Sequence, residues 1–303
     1  MQKIFLAQSK LVMRVLPLVY QENIFLLKGG TAINFFYRDL PRLSVDIDLT
    51  YSDIESREVT LQKSNAALNR IINDLKNKLN LRVVIQKDIR KEFITKIEAQ
   101  SKDAQIKIEP NFVFRGYLFP FQERRTTPKV EEFLESAAIM RILSFEDLYA
   151  GKLCALLNRQ HPRDIFDIKL LLDNEGITKQ LIDAFVVYLA SDSRPMNELL
   201  NPHLKNISVD FNSDFFGMTD EHFTIDVLTQ TRDMICSSIV NYLSENQRAF
   251  LVSLVELDPK WDLLNLDVDI ENMPSIKFKL LNLKKMEEKK RLKYLNQLKT
   301  LLF

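Results

Sequence analysis

The spacing of hydrophobic positions changes near residue 130. Before that point, apolar residues alternate with polar ones in short segments rich in β-branched side chains, and these segments are interspersed with stretches that have helical spacing. After it, apolar residues recur every three or four positions in segments of about 10 to 25 residues. The pattern therefore predicts a mixed first part and a helical second part.

The first part is expected to contain helices as well as strands. Helices are predicted over 9–20, from the Gly-Gly-Thr turn to residue 37, and over 54–79. Strands are predicted over 24–27, 44–51, 82–86, 93–99 and 105–109. Further helices are predicted over 145–157, 165–172, 179–189 and 223–243.

These elements predict an α+β fold with two domains. A small mixed sheet with helices occupies residues 1–125, and an all-helical domain occupies residues 126–303. Segment 120–129, where the pattern changes, marks the boundary. The last segment, from residue 275 to the end, has Leu and Lys in helical spacing and forms a basic tail.

Composition places the chain among ordinary globular proteins. Of its 303 residues, 46% are hydrophobic and 27% are charged, which excludes disordered, collagen-like and coiled-coil classes. The net charge of +1 conceals a division into +4 over residues 1–150, −10 over 151–274 and +7 over 275–303. Charge therefore favours an anionic partner only locally, above all at the tail.

Neither cysteine usage nor apolar runs indicate export or a membrane. Cys154 and Cys236 lie in no paired or metal-binding spacing, so no disulfide framework or zinc site is predicted. The apolar stretch 6–20 is interrupted by polar residues, and no run reaches the roughly 18 residues of a membrane helix. We expect a cytoplasmic protein without a signal peptide or membrane segment.

Two adjacent glycines precede a pair of acids. The chain has only six glycines, and Gly29-Gly30-Thr31 joins a predicted strand to a helix, where backbone N–H groups can approach a phosphate. Asp46 and Asp48 lie two apart on the next strand, so their side chains leave the same face and can bind a divalent metal ion together. A tight turn and a solvated strand face are the simpler interpretations of the two pieces.

Together, these two pieces predict phosphoryl or nucleotidyl transfer. Fifteen residues separate Gly30 from Asp46, and a phosphate-binding loop beside a metal-binding pair is the minimum such a reaction needs. Glu109, at the end of a predicted strand, is the candidate third carboxylate, although it also fits an ordinary surface acid. P-loop, dinucleotide-binding and protein-kinase motifs are absent from the sequence.

A second block of residues narrows the prediction. The sequence Lys-Leu-Cys-Ala-Leu-Leu-Asn-Arg at 152–159 is followed by Pro-Arg-Asp-Ile-Phe-Asp-Ile at 162–168, and Ile-Lys-Ile-Glu-Pro-Asn-Phe occupies 106–112. With the Gly-Gly-Thr and Asp-Ile-Asp motifs, these blocks resemble the AbiEii/AbiGii toxin family, whose relatives include the MenT toxins. That family lies within the DNA-polymerase-β-like nucleotidyltransferases. The resemblance covers roughly residues 24–172.

The resemblance implies roles for residues of this sequence. The lysine of the second block contacts triphosphate in that family, which implies this role for Lys152. An acid of the Arg-Asp-x-x-Asp block supports the catalytic centre, which implies Asp164, with Asp167 as the alternative. An exposed lysine and a surface ion pair between Arg163 and Asp164 are the simpler interpretations.

One more residue beside the two aspartates is predicted to take part in nucleotide binding. Ser44, two residues before Asp46, is expected to hydrogen-bond beside the metal site. The expected set comprises Gly29, Gly30, Thr31, Ser44 and Lys152.

The resemblance also implies a reaction and partners. We expect a nucleotidyltransferase dependent on Mg²⁺ (or Mn²⁺) that uses a nucleoside triphosphate to modify an RNA acceptor such as tRNA. It is expected to be the toxin of a type IV toxin–antitoxin system with a cognate antitoxin protein. A catalytically silent nucleotide- or RNA-binding module and a small-molecule nucleotidyltransferase are the alternatives.

Basic residues suggest where an RNA would bind. The tail contains nine lysines and arginines and two acids, and it is either an RNA-binding surface or a helix packed by its leucines. A membrane-surface role is disfavoured because acids interrupt the charge. The other candidate basic residues are Lys87, Arg90, Lys91, Arg124 and Arg125.

Overall fold

The computed structural model describes residues 1–88, 93–220 and 223–303, and the chain divides into two compact units. Unit 1 comprises Met1–Leu148 and Phe215–His222, and unit 2 comprises Tyr149–Asp214 and Phe223–Phe303. Among the described residues, no helix combines the length and the apolar character needed to cross a bilayer.

Seven strands form one sheet within the described part of unit 1. They are β1 (Phe25–Lys28), β2 (Asp46–Tyr51), β3 (Arg82–Lys87), β4 (Ile94–Gln100), β5 (Gln105–Asn111), β6 (Gln122–Arg125) and β7 (Ile139–Ile142). Their order is β3-β4-β5-β2-β1-β7-β6. The β2–β5 and β1–β7 pairs are parallel, and the other neighbours are antiparallel, so the sheet is mixed.

Four helices accompany this sheet in the described part of unit 1. They are α1 (Lys3–Tyr20), α2 (Gly29–Ala32), which continues as a π-helical turn over Ile33–Tyr37, α3 (Arg57–Asn77) and α4 (Pro128–Leu134). On β2, Ile47 and Leu49 are fully buried and Asp48 between them is not. On β5, Ile108 is fully buried and its neighbours Lys107 and Glu109 are not. Because strand side chains alternate between faces, these apolar positions of β2 and β5 pack against α1, and the polar positions lie on the opposite face. The helix α3 packs against β3 and β4.

The predicted α+β class is confirmed, but the first compact unit is longer than the expected domain 1–125. It continues to Leu148 because β7 pairs in parallel with β1, at Leu27 and Ile142, and β6 pairs with β7. The expectation that residues after 130 are entirely helical is therefore wrong for β7. The strand β7 joins the sheet through its pairing with β1, which is distant in the sequence, so the local pattern does not reveal it.

The described part of unit 2 is helical. Its helices are α5 (Phe145–Arg159, whose first turn belongs to unit 1), α6 (Pro162–Asn174), α7 (Lys179–Ser191), α8 (Met196–Leu200), α9 (Ser208–Asp210), α10 (Ile225–Ser238), α11 (Glu245–Val255), α12 (Pro274–Lys285) and α13 (Glu288–Leu302). From Leu181 onward α7 is almost wholly buried, as expected of a helix that is apolar on all sides. The basic tail forms two helices, α12 and α13.

Candidate functional site

The two adjacent glycines lie where β1 ends and α2 begins. Gly29 has a φ of +72°, in the left-handed region that favours glycine, and a Cβ at this position would lie 2.2 Å from Oδ2 of Asp48. A Cβ on Gly30 would lie 2.6 Å from a guanidinium nitrogen of Arg42 and 3.2 Å from Oγ of Ser44. The loop backbone therefore lies directly against the acidic strand, with no room for side chains.

Asp46 and Asp48 occupy the open face of β2. Both are half-buried, whereas Ile47 and Leu49 between and beyond them are fully buried. The two carboxylates therefore leave the same face of the sheet, next to the glycine loop. Their oxygens are the hard ligands that Mg²⁺ and Mn²⁺ prefer, so this pair fits a divalent cation.

Two buried hydroxyls connect the glycine loop to the acidic strand. Oγ1 of Thr31 donates to the carbonyl oxygen of Asp46 at 2.5 Å and lies 2.8 Å from Oγ of Ser44. The hydroxyl of Ser9 donates to the Ser44 carbonyl oxygen at 2.9 Å. Thr31 and Ser44 are thus engaged inside the protein, where they hold the start of β2 against the loop.

Arg42 supports the loop from within the protein. Its side chain belongs to a residue that is 1% exposed, and Nη1 donates to the Leu43 carbonyl oxygen at 2.9 Å. Its guanidinium group occupies the space that a side chain at position 30 would need, so a buried positive charge lies beside the loop. A guanidinium in this position favours anionic groups on the loop.

Glu109 lies next to Asp48 in the sheet, but its carboxylate is paired with a lysine. The parallel register places Asp48 opposite Glu109, so both side chains leave the same face. Oε1 of Glu109 is 2.7 Å from Nζ of Lys96, and this hydrogen bond raises the pKa of Lys96. Within the described ranges, no three His, Cys, Asp or Glu side chains are grouped so that they could hold a metal ion.

A buried charge cluster lies in unit 2. Nζ of Lys152, on α5, is 2.7 Å from Oδ1 of Asp164 and 2.9 Å from Oδ2 of Asp167, both on α6. Nε and Nη2 of Arg159 donate to Asp164 at 2.5 and 3.0 Å. The two acids are fully buried and the side chain of Lys152 is 7% exposed.

The electrostatics of this cluster keep Asp164 ionised. Burial by itself raises the pKa of Asp164, but the charges and hydrogen bonds of Lys152 and Arg159 outweigh it and hold the pKa well below its usual range. The interpretation of Lys152 as an exposed lysine is wrong, and so is that of Asp164 as a surface acid. Arg159 is not among the residues predicted from the sequence to belong to this cluster. The signal was present, because Arg159 lies seven residues after Lys152 on the same helix and residues at that spacing lie on one face.

Comparison with known proteins agrees with this fold. A model of the family described as nucleotidyl transferase AbiEii toxin, type IV toxin–antitoxin system, matches residues 10–265. The structure is similar to MenT4, a nucleotidyltransferase toxin from Mycobacterium tuberculosis H37Rv, with a TM-score of 0.55 and 13% identity over 98% of this chain and 93% of that one. No curated protein sequence matches the chain significantly.

Proposed function

The chain belongs to the AbiEii family of nucleotidyltransferase toxins of type IV toxin–antitoxin systems, and we propose that it transfers a nucleotide from a nucleoside triphosphate to a hydroxyl group of an RNA such as tRNA. Pyrophosphate leaves in this reaction. The phosphorus forms one new bond to the acceptor oxygen, whose proton is lost. A cognate antitoxin protein and a cytoplasmic location are parts of the same proposal.

The observation that carries the proposal is the contact between the glycine loop and the acidic strand. Gly29 and Gly30 expose backbone N–H groups at the start of a helix, where a triphosphate can accept hydrogen bonds. Asp46 and Asp48 stand beside that loop and would hold Mg²⁺ or Mn²⁺. When bound, such a cation polarises the phosphate, activates the acceptor hydroxyl and stabilises the leaving pyrophosphate.

The Lys152 cluster supports a second role. An ammonium group has three N–H donors, and Asp164 and Asp167 lie within hydrogen-bond distance of Lys152. We propose that the third donor serves a phosphate oxygen, as the resemblance implies for this lysine. Because Asp164 contacts Lys152 and Arg159, we propose that it positions the lysine rather than binding metal.

The basic tail is the surface that best fits an RNA backbone. Six of its lysines are exposed and have no ion pair within the described residues: Lys277, Lys284, Lys285, Lys289, Lys290 and Lys293. Phe278, which follows Lys277 on α12, is 46% exposed and offers a ring on which a base can stack. Uncompensated positive charge next to an exposed aromatic ring is typical of single-stranded nucleic-acid binding.

The other basic candidates support RNA binding less well. The guanidinium of Arg124 lies 4.2 Å from the centre of the Tyr37 ring, and that of Arg125 pairs with Glu131 at 2.8 Å. Lys87 is exposed at the end of β3. The remaining two candidates, Arg90 and Lys91, lie outside the described residues.

The test is incubation with each α-labelled nucleoside triphosphate, Mg²⁺ and total cellular RNA, followed by gel electrophoresis. We expect label in an RNA band, and its loss with Asp46→Asn or Asp48→Asn, whose circular dichroism should be unchanged because neither residue is in the core. Asp103→Asn, in an exposed turn, is the matched control. Label in a small soluble product would favour a small-molecule acceptor, and no label with any triphosphate would favour a silent binding module.

A further inference from the structure

A lysine lies next to the third acid on the open face of the sheet. Ile97 pairs with Ile108 across the antiparallel β4–β5 ladder, so Lys96 and Glu109, which flank that pair, are cross-strand neighbours. Their side chains are 26% and 37% exposed, and Nζ of Lys96 lies 2.7 Å from Oε1 of Glu109. Lys96 therefore meets Glu109 on the face that bears Asp48.

The ammonium group of Lys96 is also within electrostatic reach of the acids on neighbouring strands. The negative charges of Glu98 and Asp46 raise the pKa of Lys96 in addition to the hydrogen bond that it donates to Glu109. Lys107, opposite Asp46 in the β2–β5 register, is exposed and has no ion pair within the residues that the structure describes. Lys96 is thus the lysine whose charge is committed to the third acid.

We propose that Lys96 is a positioning residue that competes with the divalent cation for Glu109, and this rests on the proposed function. In the metal-free protein its ammonium group holds the Glu109 carboxylate. When a cation binds at Asp48, the carboxylate exchanges Lys96 for the cation. A half-exposed ion pair is weak and a lysine stem is flexible, so this exchange has only a small energetic cost.

The experiment measures Mn²⁺ binding to the full chain without nucleotide, from the electron paramagnetic resonance signal of free Mn²⁺. Lys96→Gln should bind Mn²⁺ about two- to fivefold more tightly, because the competing ion pair is removed. Lys107→Gln removes the same charge from the same face and is the matched control. Its gain in Mn²⁺ affinity should be clearly smaller than that of Lys96→Gln. Glu109→Gln should weaken binding, and Lys96→Gln should add nothing in that background.

The outcomes separate this inference from the proposed function. Equal gains for the two lysine variants, no gain for Lys96→Gln, or unchanged binding for Glu109→Gln would each overturn the exchange while leaving a metal site at Asp46 and Asp48 intact. If Asp46→Asn and Asp48→Asn bind Mn²⁺ as the parent chain does, the metal site itself is elsewhere and both proposals fail. Thermal unfolding of each variant verifies that it is folded.

Discussion

Replacement of Lys152 by methionine tests the buried charge cluster of unit 2. Methionine retains most of the apolar stem but lacks the ammonium group that lies 2.7 Å from Asp164 and 2.9 Å from Asp167. Both carboxylates are fully buried, so water cannot replace the lost partner without rearrangement of the protein. We therefore expect a loss of stability as well as any loss of activity.

The magnitude follows from the burial and the remaining contacts. Removal of one partner of a buried ion pair costs about 3–5 kcal/mol. Arg159 still donates to Asp164 at 2.5 and 3.0 Å, so we expect the lower end, about 3 kcal/mol. For a unit of this size, that loss lowers the unfolding midpoint by roughly 6–12 °C.

The pH dependence provides an independent check. Burial raises the pKa of Asp164, but Lys152 and Arg159 lower it by more than burial raises it. The pKa of Asp164 in the folded protein therefore lies below the unfolded value of about 3.9. The ionised carboxylate therefore contributes stability that is fully present above that unfolded value and is lost as the pH falls below it. The Lys152→Met substitution removes the part of this contribution that comes from the lysine, so the difference in free energy of unfolding between parent and variant should be constant above about pH 5 and shrink as the pH falls below about 3.9.

The assay is urea unfolding followed by circular dichroism at several pH values. Lys169→Met is the matched control, because Lys169 pairs with Asp173 on the surface of α6, and its loss should cost less than about 0.5 kcal/mol. A Lys152→Met chain as stable as the parent at pH 7 would refute the reasoning. A stability difference that does not depend on pH would show that Asp164 is not the affected group.

Two further predictions concern the loop and the tail. Gly29→Ala should weaken triphosphate binding about tenfold or more in equilibrium dialysis, because the added Cβ overlaps the Asp48 carboxylate. Gly176→Ala is the control and should bind triphosphate normally, because Gly176 also has a positive φ but its added Cβ would have nothing within 4 Å. The double substitution of Lys284 and Lys285 by glutamine should raise the KM for RNA but not for triphosphate, and should flatten the log–log salt dependence by about 0.7–0.9 per lost phosphate contact. Unchanged salt dependence in a folded variant would exclude these lysines from the RNA surface.

The local pattern was sufficient to predict the strand β2, which bears the two aspartates, but not the strand β7. Polar and apolar residues alternate with a period of two over residues 46–49. The structure has the strand β2 there, with Ile47 and Leu49 buried. The strand Ile139–Ile142 has only four residues, and it joins the sheet through a long-range parallel pairing with β1 that no local pattern contains. The first compact unit extends past the expected boundary for this reason.

The candidate site shows the same division between local and long-range information. The glycine loop and the acid pair are local motifs, and they were predicted from residue types and spacing. The pairing of Lys96 with Glu109 depends on the register of two antiparallel strands, and that of Lys152 with Asp164 on the packing of two helices. Neither pairing can be deduced from spacing along the chain.

These pairings decide what each lysine can do. Lys152 is held by two acids within a buried cluster, so its substitution should lower stability together with any activity that depends on the lysine. Lys96, in a half-exposed pair, can exchange its partner at small cost. Exposed tail lysines such as Lys284 have their charge available for a polyanion and add little to the fold. Stability, metal affinity and salt dependence are therefore the measurements that distinguish the three kinds of lysine, because the loss of activity alone would look the same for all of them.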